Sequence, residues 1–413
     1  MPMLLFKAMK ENQMSKSALI VTLLSCIIPT FILIIPASAE IALIILALWS
    51  LFYCVQNNIN PFSYASSQFI AYLCLGYFMV ALISILASDP SLYAFKRLGT
   101  NIHFLLAPWL AVLFIKELNL NLLRYAIKLG ACLAGVVALI QYFYLNQRAH
   151  GCLNELPFSN ISLLLSFFSL INIHQEKGRE KYISLFSFTL GFMAVIFSLS
   201  RGTWIAVPIL FIIIVLLWYK QRSITIKSLS IFTIIGICLI TISAFSPQVQ
   251  SRFNSMLKDI NTYDVNTFTP VGIRITLWKT AIKAIPEHPF LGFGLHNVQQ
   301  VTYDYIDDPI LKESLQIFGH FHNEYLNTLV TKGVLGLLML LTLLIIPCTL
   351  FYPLLSNPNN FYTASLIILL CAGYAMSGLT NLAFGHGIMN SFFIFMLTAS
   401  SQILPTQRIS QTL

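Results

Sequence analysis

Hydrophobic positions in this chain come in long unbroken runs joined by short polar connections, not in the alternation of half-buried strands. A membrane span needs about 20 mostly apolar residues. By that measure the chain holds twelve segments: Ala18 to Ile35, Ala39 to Val55, Phe69 to Leu86, His103 to Ile115, Tyr125 to Leu145, Ser159 to Ile173, Ile183 to Leu199, Trp204 to Tyr219, Leu229 to Phe245, Leu326 to Tyr352, Thr363 to Leu379 and Met389 to Leu404. The fourth is short, and polar residues interrupt the last. One long polar segment breaks the pattern, from Ser246 to about Glu324. Within it, Val249 to Ile260 carries Phe253, Met256, Leu257 and Ile260 at helical spacing, which predicts a helix lying on an apolar surface. Arg274 to Ile285 repeats the pattern with Ile275, Trp278, Ala281, Ile282 and Ile285, and Pro286 ends it. Pro289 to Gly294 reads as a turn. The expected organisation is therefore residues 1–245 as helices one to nine, 246–324 as a loop with amphipathic helices, and 325–413 as helices ten to twelve.

Composition agrees. Hydrophobic residues make up 57% of the chain and charged ones 9%, with a mean hydropathy of +0.79, whereas a soluble globular domain is about a quarter charged. This is an all-α polytopic membrane protein. The net charge of +9 reports topology before it reports a partner, because basic residues collect on the cytoplasmic side of membrane proteins; nucleic acid is not implied. If the N-terminus is cytoplasmic, the inner side carries Lys7, Lys10, Lys16, Lys116, Arg124, Lys128, Lys177, Arg179, Lys181, Lys220, Arg222, Lys227 and Arg408, against Lys96, Arg97, Arg148 and Arg201 in the short outer loops. Both termini then lie inside, and the 246–324 loop lies outside the cytoplasm. No small-residue cleavage site follows the first run, so that run is expected to stay as a helix. Cys26, Cys54, Cys74, Cys132, Cys238, Cys348 and Cys371 sit in or beside apolar runs without metal-type spacing and read as small core residues.

The residues able to do chemistry gather where the polar loop re-enters the apolar pattern, at Gly319-His320-Phe321-His322-Asn323-Glu324-Tyr325. A lone histidine at such a junction more often satisfies hydrogen bonds. Two of them, one residue apart, suit a base for a hydroxyl, since an imidazole has a reference pKa of about 6.5. No third ligand at a recognisable spacing supports a metal. Arg201, in a connection of a few residues on the same side, either snorkels to headgroups or holds an anion; its planar fork suits phosphate oxygens better than lysine does. Gly202 would let a ligand approach the backbone. Arg274 opens the second loop helix, where a cation is mildly unfavourable, so a partner anion is expected. Lys96 and Arg97 read as headgroup anchors. Gly333 and Gly336 read as a small-residue face for helix packing in lipid. A secondary transporter also fits twelve spans, but it would place ionisable residues near the bilayer midplane, and Glu40, Lys128 and Lys332 all lie near span ends.

His322-Asn323, nine intervening residues and Gly333-Val334-Leu335-Gly336 together resemble the signature of the O-antigen ligase and polymerase superfamily of bacterial membrane enzymes. Ser200-Arg201-Gly202 between two helices, the large loop after the ninth span, and Arg274 followed by Trp278 agree with it. The stretch from Arg252-Phe253-Asn254 to Asp259-Ile260-Asn261-Thr262-Tyr263 is similar to the enterobacterial lipopolysaccharide ligases. The resemblance covers roughly the second half of the chain. It implies a metal-independent glycosyltransferase of the C class in the inner membrane, without cofactor, acting on the periplasmic face. The implied donor is O-antigen on undecaprenyl diphosphate and the implied acceptor is the lipid A-core. Arg201 and Arg274 would hold the diphosphate, His322 would take the acceptor proton, and His320 would orient it or share that role. An O-antigen polymerase, using the same donor with a second lipid-linked glycan, is the nearest alternative.

Overall fold

The computed structural model describes residues 14–62, 65–88, 90–221, 250–251, 254–255, 257–259 and 267–404. The chain is an all-helical, multi-pass membrane protein, and no strand forms among the described residues. The helices are α1 (Lys16–Phe31), α2 (Ser38–Gln56), α3 (Ala65–Ser88), α4 (Leu92–Leu98), α5 (His103–Glu117), α6 (Leu120–Leu139), α7 (Glu155–Leu170), α8 (Arg179–Phe197), α9 (Arg201–Trp204) and α10 (Ala206–Lys220). The polar loop adds α11 (Pro270–Ala284), α12 (Val298–Tyr305) and α13 (Pro309–Leu315), and α14 (Glu324–Phe351), α15 (Phe361–Gly378) and α16 (Gly387–Ser400) follow.

Among the described residues eight helical stretches are long and apolar enough to cross a membrane, and the apolar helices Lys16–Phe31, Glu155–Leu170 and Gly387–Ile403 are shorter. These match all the expected segments except the ninth, Leu229 to Phe245, which lies outside the described residues. The fourth is not short. A 3-10 turn at Gly99–Asn101 joins α4 to α5, giving 26 residues from Leu92 to Glu117; Lys96 and Arg97 disguise its first turns. The polar residues of the twelfth are explained by burial. Met389 through Ser400 are all buried, and the hydroxyls of Ser391 and Thr398 donate to the carbonyls of Gly387 (3.0 Å) and Ile394 (2.6 Å) within the helix. A helix surrounded on every side reads as apolar all round, with its few polar groups satisfied internally.

The two ends of the bundle differ in chemistry. At one, Lys128 pairs with Glu176 at 2.6 Å, Arg124 lies over the Tyr362 ring and Lys220 over Tyr352. At the other, Ala149 N–H donates to Phe197 O and Cys152 N–H to Leu33 O, Asn390 donates to Thr100 O at 2.8 Å, and Arg97 abuts Gly319. The histidines, Arg97, Arg148 and Arg201 thus share one end.

The loop helices build a small core of their own from Leu277, Ala281, Ala284, Val298, Val301, Ile306, Leu315 and Phe321, with Val330 contributed by α14. The α11 helix begins at Pro270, capped by the Thr269 hydroxyl accepting from Gly272 N–H. It starts one turn before the expected Arg274, because proline at the first helical position needs no amide partner. Leu257 and the other described residues of 250–259 are helical; Phe253, Met256 and Ile260 lie outside the described residues.

The junction between loop and bundle corrects the reading of Gly333 as a helix-packing glycine. Gly333 has φ 65° and ψ −166°, a break inside α14. Residues 289–294 insert there: Phe293 N–H donates to Val330 O (2.7 Å), Gly294 N–H to Thr331 O (3.1 Å), Val334 N–H to Pro289 O (2.8 Å) and Leu335 N–H to Phe290 O (3.3 Å). Backbone groups freed by a broken helix must find partners within the protein when no water is near, and the expected turn supplies them. A Cβ on Gly333 would lie 2.2 Å from the Phe290 carbonyl carbon. Gly336 faces side chains of its own helix, Lys332 and Thr328.

Candidate active site

His320 and His322 are presented by the residue between them. Phe321 is fully buried in the loop core, which turns both imidazoles to the opposite side of the chain. Their ring centroids are 4.2 Å apart, nearly perpendicular at 76°. The His322 backbone N–H donates to His320 Nδ1 at 3.2 Å, so the neutral His320 ring carries its proton on Nε2. His322 has φ 50°, a left-handed conformation rarely adopted by a residue with a Cβ. Its Nδ1 is buried and has no hydrogen-bond partner among the described residues. Strain of this kind is kept where surrounding contacts enforce it. Here they are Phe321 on one side and Asn323 on the other, which caps α14 by accepting from Tyr325 and Leu326 N–H and donates to Leu379 O.

Arg201 is positioned by polar contacts around α9. Leu199, at φ 54°, turns the chain between α8 and α9, and Arg148 donates to the carbonyls of Ser198 (3.1 Å) and Leu199 (3.4 Å). Thr203 donates to Asn160 Oδ1 (3.0 Å), and Asn160 donates to Ser377 (2.7 Å). A Cβ on Gly202 would lie 2.5 Å from the Thr380 hydroxyl. That glycine therefore accommodates Thr380, correcting the expectation of a ligand against its backbone.

Arg274, in the second turn of α11, brings its charge to the same place. Burial first, then the Arg201 charge, lowers its pKa from the ordinary guanidinium value, though it stays protonated. The loop carboxylate Asp259, 7% exposed, faces Arg201 at 3.7 Å. Arg274 has no carboxylate partner among the described residues. Burial pushes His322 down to about 3, helped by the charges of His320 and Arg274. Burial, then His386, Arg97 and Arg274, push His320 down to about 4. Both imidazoles are therefore neutral at physiological pH and can accept a proton. An anion at the guanidiniums would raise both values.

The structure thus brings His320, His322, Arg201 and Arg274 into one electrostatic neighbourhood. Sequence reasoning missed Asp259, His386 and the turn of Arg97 toward the site. Of these, Arg97 had a usable sign, since loop parity already put it on the histidine side. Among the described residues no group of three or more His, Cys, Asp or Glu side chains converges as a metal cage. An open groove of about 450 Å³, lined by Gln299, Gln300, Tyr303, Gln316 and Ile317, lies on α12 and the end of α13. It contains none of the four residues and carries no ionisable lining group apart from the tyrosine.

A family model described as O-antigen ligase matches residues 186–341, a span containing Arg201, Arg274, both histidines and Gly333. The chain is 28% identical over 349 residues to an uncharacterized protein of Haemophilus influenzae, covering 82% of this chain and 86% of that one. It is 22% identical over 227 residues to the O-antigen ligase of Escherichia coli, covering 54% of each, so the match spans about half of that relative. The family match falls on the loop and the helices that hold these side chains, and it and the Escherichia coli relative together support a likeness to the O-antigen ligase and polymerase superfamily.

Proposed function

We propose that the protein is an O-antigen ligase of the bacterial inner membrane, transferring O-antigen from undecaprenyl diphosphate to a sugar hydroxyl of the lipid A-core on the periplasmic face. The observation that carries this reading is the half-buried cationic pair Arg201 and Arg274 beside two neutral histidines at one end of the bundle. The ligase assignment, over a polymerase, rests on the Arg252 to Tyr263 stretch and is supported by the relative named O-antigen ligase.

In the reaction, the acceptor hydroxyl oxygen forms a bond to the anomeric carbon of the donor sugar as the bond from that carbon to the diphosphate oxygen breaks. The diphosphate leaves with the bonding electrons, and the hydroxyl proton passes to the His322 imidazole. Negative charge grows on the leaving diphosphate, where Arg201 and Arg274 stabilise it. Both are charged before the donor arrives, so no metal is required by this scheme. Donor charge beside the imidazoles raises their basicity when a base is needed. His320, fixed through its Nδ1 by the His322 amide, orients its neighbour.

The test is the lipopolysaccharide profile of a deletion strain, complemented with the wild-type chain. Lipid A-core without O-antigen, restored on complementation, is the expected result. Core carrying a single repeat unit would replace the ligase by the polymerase.

A further inference from the structure

Taking the diphosphate reading of the site as its basis, we propose that Arg97 is a third diphosphate-binding residue, delivered to the site by the glycine that precedes the histidine pair. Lys96 and Arg97 are neighbours in the last turn of α4, yet they part company. Lys96 is exposed, while Arg97 is half-buried and reaches across to the loop. A Cβ built on Gly319 would lie 2.6 Å from Arg97 Nη2, so the guanidinium rests against the backbone at the one residue type that leaves room for it. Its charge reaches His320, the next residue. The same Nη2 donates to the hydroxyl of Tyr93 at 3.4 Å, which steadies the guanidinium there.

A basic residue in the last turn of a helix also complements the helix dipole, but exposed Lys96 does that equally well and does not explain the reach to Gly319. Charge explains it. Asp259 faces Arg201, which leaves Arg97 and Arg274 without a carboxylate partner among the described residues. Two half-buried guanidiniums without a counter-ion are costly unless an anion joins them, and a diphosphate diester carries one ionised oxygen on each phosphate. Arg97 approaches the histidines from the α4 side, and Arg274 from the loop side, so the ligand would be gripped between bundle and loop. The α4 segment lies outside the 186–341 span of the family match, so the contact joins the two halves of the chain.

The experiment uses the purified full chain in detergent, with undecaprenyl diphosphate itself as the probe, and compares wild type with Lys96→Ala, Arg97→Ala, Arg97→Lys, Gly319→Ala and Arg274→Ala. Arg97→Ala is expected to weaken binding about 10- to 100-fold, the size of a lost charge-assisted contact. Lysine should recover only part of it. Gly319→Ala should weaken binding with Arg97 chemically intact, and Lys96→Ala should bind as wild type. Thermal midpoints of all variants, measured alongside, separate loss of binding from loss of fold. Wild-type affinity in Arg97→Ala, with binding lost in Arg274→Ala, overturns the role of Arg97 and leaves the diphosphate site standing. Absence of binding in the wild type overturns the diphosphate reading itself, and this inference with it.

Discussion

The backbone amide of His322 is hydrogen-bonded to the ring of His320, 3.2 Å from its Nδ1, so the two imidazoles of the pair are not equivalent. His320 has one nitrogen committed to holding its neighbour, whereas His322 keeps a buried Nδ1 without a partner. We expect His322→Ala to lose turnover by about 100- to 10,000-fold, the usual worth of a general base, with little change in donor affinity. His320→Ala should cost less. Separate measurement of donor affinity and saturating turnover on both purified variants decides it; near-normal turnover in His322→Ala would remove the base assignment.

The pH dependence should differ between free and donor-bound enzyme. In the free protein burial and neighbouring cations hold His320 to about 4 and His322 to about 3. A base must be unprotonated, so activity is lost as pH falls through its pKa. The acid limb of kcat/KM is therefore expected well below pH 6, and that of kcat at higher pH, because bound diphosphate stabilises the protonated rings. An acid limb of kcat/KM near an ordinary imidazole value of about 6.5 would contradict the burial of the pair.

Arg201→Ala and Arg274→Ala should each abolish ligation at equal expression, and lysine should rescue poorly, because a point charge cannot reproduce a planar fork. Complementation of a deletion strain, read on lipopolysaccharide gels, measures this. Full O-antigen attachment in either alanine variant would make that arginine a headgroup anchor.

The orientation prediction rests on the basic residues. The end bearing Arg124, Lys128 and Lys220 should face the cytoplasm and the loop should face the periplasm. A cysteine at exposed Glu313, in a background without other cysteines, should react with an impermeant thiol reagent once the outer membrane is permeabilised. Reaction only after the inner membrane is opened would reverse the topology.

Gly333→Ala should destabilise more than Gly336→Ala. Backbone strain at φ 65° costs about 1 to 3 kcal/mol, and the new Cβ would collide with the fixed Phe290 backbone. The Cβ of Gly336→Ala meets the Cβ of buried Lys332 instead, a clash too, but one without the added cost of a left-handed backbone. Thermal unfolding in detergent compares the two, and equal midpoints would show that the break at Gly333 is dispensable.

Much of this architecture could be read from the chain. Long apolar runs have one stable form in lipid, a helix, because each backbone group must be satisfied within the segment; hence, among the described residues, the segment boundaries lay within a few residues of the helices, the start of the fourth span excepted. The loop helix α11 announced itself through the spacing of Ile275, Trp278 and Ile282. What could not be read was set by contacts far apart in sequence. Gly333 shows a helix break only because residues 289–294 fill it, and Gly202 meets Thr380 only because α9 docks beside the end of α15. Arg97 and Lys96 look alike in sequence, and only the approach of Gly319 tells them apart.

The clasp between residues 289–294 and the break in α14 also bears on how the protein is made and how it can be re-engineered. Ribosomal synthesis produces the loop turn before its partners at 330–335 have emerged, so the turn waits with its bonding groups unmatched and closes only once the start of α14 has formed. A chimera that exchanges the loop between relatives and cuts at its visible end, near Glu324, would separate the two halves of this clasp. Grafts should carry the loop and the first half of α14 as a single cassette.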